Sequence, residues 1–227
     1  DARPLGCSGQ YAVAPVGHLM AVTFVQFMDW LRLTDEHVIE ARSELTELDS
    51  AIGDGDHGIN LSRGCAASSG KVDSEKPEYL DDMFTLVGMT LVSSVGGASG
   101  PLYGTFFLRF ATSAGHRQEL TPVQLASALE AGLAGVVQRG KPELGDKTMY
   151  DAMQPAVLAF RNAIKTGDVA EAALLASRAA AAGRDATADL VARKGRASYL
   201  GERSVGHIDP GAASTALLFQ SLAEALA

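Results

Sequence analysis

The chain has 227 residues, 47% of them apolar and few of them proline, a size and composition that suit one folded domain with a sizeable core. Its net charge of −8, with no offsetting basic cluster, excludes a general nucleic-acid binder, and no apolar run reaches the length of a transmembrane helix. Cys7 and Cys65 are the only cysteines, which implies no disulfide framework and suits a reducing cytoplasm; Cys65 reads as a small buried apolar residue.

Residues 1–20 hold Pro4, Gly6, Gly9, Pro15 and Gly17 without periodicity, and read as a tail, an expression remnant or a linker set apart from a domain at 21–227. Abundant Ala and Leu with few aromatics favour helix over strand from there on. Val22, Phe24, Phe27, Met28 and Leu31 open a long amphipathic segment that runs through Val38 and Leu45 to a turn at Asp49. Ile59 to Gly70 is a short helix. Tyr79 to Val95 follows with Leu80, Met83, Phe84, Val87 and Leu91 spaced by three and four. Leu102 to Ala114 is very apolar, and Phe106, Phe107, Leu108 and Phe110 there are core residues at helical spacing. Thr121-Pro122 caps a helix to about Gln138, and Thr148 to Lys165 is the next. Asp168 with Glu171 forms a capping box for an Ala-rich helix to about Arg193, and Asp209-Pro210 starts the last one. No segment alternates as a strand does. The expectation is therefore all-α, with eight helices and mostly short connections, in an up-and-down bundle or a closed ring.

Four polar or glycine-rich breaks interrupt this pattern: Gly53 to Asn60, Gly96 to Gly104, Gly140 to Lys147 and Lys194 to Gly211. In an alternating bundle these connections all fall at one end, so the unusual chemistry is gathered there. The first break, with the residues just before it, places Asp49, Asp54 and Asp56 on a glycine-rich turn. An oxygen-only set of repelling carboxylates suits a hard cation such as Mg²⁺ or Ca²⁺, although Gly-Asp repeats are also ordinary turn chemistry. It is no EF-hand, because the twelfth position from Asp54 is Cys65 rather than Glu. Gly96-Gly97-Ala98-Ser99-Gly100 offers bare backbone N–H groups ahead of a helix, as a phosphate requires, or simply close helix packing. No Gly-Lys-Ser/Thr follows, so it is not a P-loop. Lys194, Arg196, Arg203 and His207 in the fourth break suit a polyphosphate or a solvated loop. Carboxylates, N–H donors and cations together point to a nucleotide di- or triphosphate with Mg²⁺.

Four stretches carry a resemblance to a known family. They are Asp49 with Asp54-Gly-Asp56-His57-Gly58-Ile59-Asn60, Ser93 through Gly104, Gly145-Asp146-Lys147-Thr148-Met149, and Gly195 through Arg203 leading to Asp209-Pro210-Gly211. Over about residues 22–227 the chain resembles the nucleotide-binding unit of dihydroxyacetone (glycerone) kinases. That unit is the DhaL subunit of bacterial enzymes or the C-terminal domain of single-chain kinases. The resemblance implies an eight-helix antiparallel barrel with the nucleotide at one end. It implies that Asp49, Asp54 and Asp56 are the catalytic ligands of two Mg²⁺ ions on the phosphates of ADP or ATP. His57, Gly58, Ile59 and Asn60 follow as nucleotide contacts, with Ala98 and Ser99 on the phosphates. Gly140 and Met149 map to the adenine side, and Arg196, Asp209, Pro210 and Gly211 to the covering loop.

In this family the acceptor sugar is held covalently on a histidine of a separate DhaK-type unit, so neither His57 nor His207 is that histidine. The implied activity is phosphoryl transfer to an alcohol group. It is cytoplasmic, and runs with the DhaK-type partner and either exchangeable ATP or a DhaM-type phosphotransferase-system protein that recharges bound ADP. No nucleic acid or membrane is implied, and a homodimer stays open. Other small ketoses such as erythrulose, a nucleotide-dependent regulatory module, and an apolar-ligand carrier using the Phe-rich segment are the competing readings.

Overall fold

The computed structural model describes residues 21–227; the tail or linker read at residues 1–20 lies outside them. The described residues are all-α except for one two-residue strand pair. Strand β1 (Val22–Thr23) runs antiparallel to β2 (Glu119–Leu120), with Val22 opposite Leu120, a pairing too short to leave an alternating pattern in the sequence. Each strand delivers a helix start. Thr23 caps α1 (Phe24–Glu40) in a box with Gln26, and Thr121 caps α6 (Pro122–Gly140) in a box with Gln124.

The long first segment is two helices. The helix is interrupted at Ala41 (φ −82°, ψ 4°), and α2 (Arg42–Ile52) follows. No glycine or proline marks this break. Its cause is tertiary: α2 packs against α3 (His57–Glu75), and Gly58 lies so close that a Cβ there would overlap the Arg42 carbonyl oxygen. The remaining helices are α4 (Leu80–Ser94), α5 (Ser99–Ala114), α7 (Met149–Ala163), α8 (Val169–Ala186) and α9 (Pro210–Ala225). Chain neighbours pack pairwise from α3 to α9.

The expected eight-helix closed barrel is corrected on two counts. The described residues form nine α-helices with two 3-10 segments, and α9 packs on α7 as well as on α8 and α1, which a simple ring of eight does not provide. Ala212, Ser214, Thr215, Ala216, Leu218 and Phe219 on its successive faces are all buried. A helix of small residues is what an enclosed position of this kind requires.

Beneath the site end lies an aromatic core. Trp30, Phe27, Phe84, Phe106 and Phe110 are fully buried, and Phe84 meets Phe110 at a ring distance of 4.5 Å. The Trp30 indole N–H donates to the Leu218 carbonyl at 2.9 Å, tying α1 to the enclosed α9. The Phe-rich segment of α5 thus packs on rings from α1 and α4.

Helix α8 stops at Ala186, short of the expected Arg193, and passes through a 3-10 turn at Thr187–Asp189. The residues from Arg196 to Ser204, expected as loop, are mostly 3-10, kinked at Gly201. At the first of these departures the freed carbonyls of Thr187 and Ala188 meet Lys147, described below. No helix among the described residues is long and apolar enough to cross a membrane.

Candidate functional site

All four breaks line one cavity of about 290 Å³, a volume at the lower edge of small-molecule sites. Its first wall is the turn between α2 and α3. Asp49, in the last turn of α2, is buried, and its Oδ2 accepts the backbone N–H groups of Asp56 (2.8 Å) and His57 (3.0 Å). The carboxylate therefore seats the positive end of α3. Gly53 makes room for it, since a Cβ there would overlap Asp49 Oδ1. Asp56 stands at the N-cap position of α3 but makes no capping hydrogen bond, which leaves its oxygens to the cavity. Asp54 meets the Arg196 guanidinium at 2.7 Å. Asp49, Asp54 and Asp56 each offer an oxygen within 4.8 Å of the others. An all-oxygen donor set this tight, with Arg196 the one cation in ion-pair contact among the described residues, fits Mg²⁺.

The second wall is the start of α5. Gly97 has φ 67°, a left-handed conformation that glycine adopts without strain, and it turns the chain so that Gly96 through Ser99 border the cavity. Helix α5 begins at Ser99, three residues earlier than the sequence pattern places it, so its N-terminal turn lies at the cavity lining. Gly96 backs onto the Asn60 side chain, whose oxygen accepts from Arg63 at 2.8 Å.

The third side is apolar. Leu102, Val136, Pro142 and Met149 line it together with Gly140, a polarity suited to an apolar ring system. The fourth side is the segment from Lys194 to Ala197 together with Asp209, Pro210 and Gly211 at the start of α9. Lys194 bridges back to the Lys141 carbonyl at 2.8 Å. Asp209 caps α9 by accepting the Ala212 N–H at 2.7 Å. Burial pushes its carboxyl up to about 7, against the pull of that N–H and of Lys147, with Asp151 adding to the rise. Burial likewise lowers the pKa of His57, opposed by Asp49 and Asp56.

Of the residues singled out from the sequence, Asp49, Asp54, Asp56, His57, Asn60, Ala98 and Ser99 lie on the first two walls. Gly140, Met149, Arg196, Asp209, Pro210 and Gly211 lie on the others. Gly58 and Ile59 do not line the cavity: Gly58 is the close-packing point under α2, and Ile59 is 41% exposed. Arg203 and His207 also stay off its lining.

Sequence reasoning missed Lys147 as a structural centre. It is 1% exposed, holds a left-handed backbone (φ 63°), and its ammonium donates to the carbonyls of Thr187, Ala188 and His207. The buried cation thus takes carbonyls at the frayed end of α8 and clamps the covering segment beside the cavity. Its pKa is lowered by burial, opposed by Asp209 and Asp189. The only sign in the sequence is its place between Asp146 and Thr148 after a glycine, which signals a turn but not its burial.

Comparison with known proteins gives a consistent picture. Residues 51–224 match the family model of the DAK2 domain. The chain is 48% identical to the PEP-dependent dihydroxyacetone kinase 1, ADP-binding subunit DhaL, of Listeria innocua, covering 85% of this chain and 92% of that one. It is 43% identical to the PEP-dependent dihydroxyacetone kinase, ADP-binding subunit DhaL, of Escherichia coli, covering 90% of this chain and 98% of that one. Among solved structures it resembles the dihydroxyacetone kinase from C. freundii in complex with AMP-PNP and Mg²⁺, with a TM-score of 0.69 and 25% identity. That alignment takes in 98% of this chain and 38% of the longer one.

Proposed function

The chain belongs to the DAK2-domain family, and from that premise we propose that it is the ADP-binding, phosphoryl-donor subunit of a dihydroxyacetone kinase. One observation carries the reading: three carboxylates, a helix N-terminus and an apolar slot meet in a single cavity. These are the parts that a nucleotide with its metal needs.

In this reading the apolar slot takes the base, and Met149 and Gly140 set its width. The N–H groups opening α5 hold the phosphates, with Ala98 and Ser99 nearest. Asp49, Asp54 and Asp56 hold Mg²⁺, two ions in the fullest form of the proposal. Bound there, Mg²⁺ offsets the repulsion between carboxylates and phosphates and stabilises charge on the transferring group. Arg196, on the covering segment, is placed to exchange Asp54 for a phosphate oxygen. The acceptor hydroxyl arrives on a DhaK-type partner, so this chain positions the electrophile only. The relatives' names support a mode in which ADP stays bound and is recharged by a DhaM-type protein fed from PEP.

Reconstitution tests the proposal. The chain, mixed with a DhaK-type subunit and a phosphoryl donor, is expected to produce dihydroxyacetone phosphate, with no product when any component is left out. A chain that binds ADP but transfers nothing under these conditions would instead be a nucleotide-dependent regulatory module. Retention of ADP through gel filtration is the mark of the bound-cofactor mode.

A further inference from the structure

Behind the cavity, five polar side chains form a continuous chain. Ser99 Oγ lies 3.1 Å from His57 Nδ1, and His57 Nε2 lies 2.9 Å from Ser214 Oγ. Ser214 Oγ is 2.7 Å from Tyr103 Oη, which is 2.9 Å from Thr215 Oγ1. Only Ser99 and His57 border the cavity; Tyr103, Ser214 and Thr215 are buried on α5 and α9. Burying such hydroxyls is costly unless they are paired, and their side-chain partners are one another. Phe and Ala would serve the packing at lower cost, so the chain points to a task.

Two of its proton orders place the His57 ring proton on different nitrogens. A neutral imidazole donates from one nitrogen and accepts at the other, and each hydroxyl has one proton to give. Ser214 and Tyr103 also lie 3.1 Å and 3.3 Å from the Gly211 carbonyl oxygen. In the first order Ser214 donates to Gly211 and accepts from His57 Nε2–H and Tyr103 O–H, while Ser99 donates to His57 Nδ1. In the second, Ser214 donates to His57 Nε2, His57 Nδ1–H donates to Ser99, and the Ser99 O–H turns to the cavity. Tyr103 donates to Ser214 and accepts from Thr215 in both. The protons balance: the ring proton sits on Nε2 in one order and on Nδ1 in the other, and every hydroxyl keeps its own. The first order gives the Gly211 carbonyl the Ser214 proton, where the second leaves it only the longer Tyr103 contact; an anion beside Ser99 favours the second, because it meets a donor instead of lone pairs.

We propose that Tyr103 and Ser214 are positioning residues that hold the His57 ring so that an anion in the cavity reverses this order and receives the Ser99 hydroxyl proton as a hydrogen bond. The inference rests on the nucleotide reading and extends it from the cavity wall to a layer the sequence did not mark.

The test uses the full chain with Mg²⁺ and ADP. Nitrogen-15 NMR of the His57 ring is expected to report the Nε2–H form alone and the Nδ1–H form with Mg²⁺ and ADP; one unchanged tautomer in both, with ADP bound, overturns the inference. Calorimetry gives a second readout. Tyr103→Phe and Ser214→Ala should each weaken ADP binding by about tenfold, the worth of one hydrogen bond, and should have no further effect in a Ser99→Ala background. Unchanged affinity, or losses that add to that of Ser99→Ala, contradict it. If Tyr103→Phe does not fold in a thermal melt, Ser214→Ala carries the comparison. A wild type that binds no ADP removes the nucleotide reading and this inference together; a wild type that binds while the variants match it removes this inference alone.

Discussion

The two long walls of the cavity solve opposite electrostatic problems. On the α2–α3 wall, three carboxylates crowd within 4.8 Å, and Arg196, two-thirds exposed at 64%, is the cation in contact with them. On the wall made by residues 140–148 and 187–211, a buried ammonium at Lys147 is matched by three backbone carbonyls. The second wall is complete as it stands, and its charge is structural. The first has surplus negative charge held in place by Gly53 and by the backbone of α3, an arrangement that stability alone does not favour. A surplus that the fold maintains is the feature on which the proposed metal site rests.

Substitutions on each wall should therefore fail differently. Asp54→Asn should give the largest effect on binding, at least about 100-fold weaker Mg²⁺-dependent ADP affinity by equilibrium dialysis, with an unchanged melting temperature. A variant that melts early would move Asp54 to the structural class and erase the contrast. Lys147→Met should do the reverse on the other wall. Removing the ammonium leaves buried carbonyls unsatisfied, for about 3 kcal/mol and a fall in Tm of roughly 10 °C. Unaltered stability would show that water replaces the clamp. Gly58→Ala sharpens the comparison from beneath, since its Cβ would overlap the Arg42 carbonyl and meet Thr46 Oγ1 at 2.6 Å. Forcing α2 and α3 apart should cost about 2 kcal/mol in denaturant titration, with a weakened metal turn as a consequence.

The smallest effect is one of pH. Asp209, facing Lys147 and Asp151, titrates near 7 in the folded chain, above its unfolded value. The native state then binds the proton more tightly than the unfolded one. The resulting stability is fully present below about pH 4 and is lost as pH rises to about 7. An asparagine side chain at this position keeps the cap without the charge. The stability of Asp209→Asn relative to wild type should therefore improve between pH 5 and pH 8, as read from melts across that range. A constant difference would place the proton elsewhere.

How much of this was legible in the sequence depended on the range of the cause. Local chemistry was readable: the caps at Thr121, Asp168 and Asp209 and the carboxylates at Asp49, Asp54 and Asp56 stand where short-range rules place them, although Glu171 does not return the bond that would complete the expected capping box at Asp168. The break at Ala41 was not, because it arises from the approach of α3 and leaves no Gly or Pro behind. The enclosed position of α9 was hidden in the same way. Its small residues read as a helix but not as one surrounded by others, and the expected ring followed. Lys147 looked like any loop lysine, since the carbonyls that hold it come from forty and sixty residues further along. Tyr103 and Ser214 meet across 111 residues, and nothing local to either announces the other.

The central claim is that the carboxylate wall exists to hold a metal on a nucleotide. Calorimetric titration of the wild-type chain with ADP, with Mg²⁺ and again with EDTA in its place, tests it most directly. The account predicts saturable binding with Mg²⁺ that is lost in EDTA. Binding of equal strength in both conditions would contradict it.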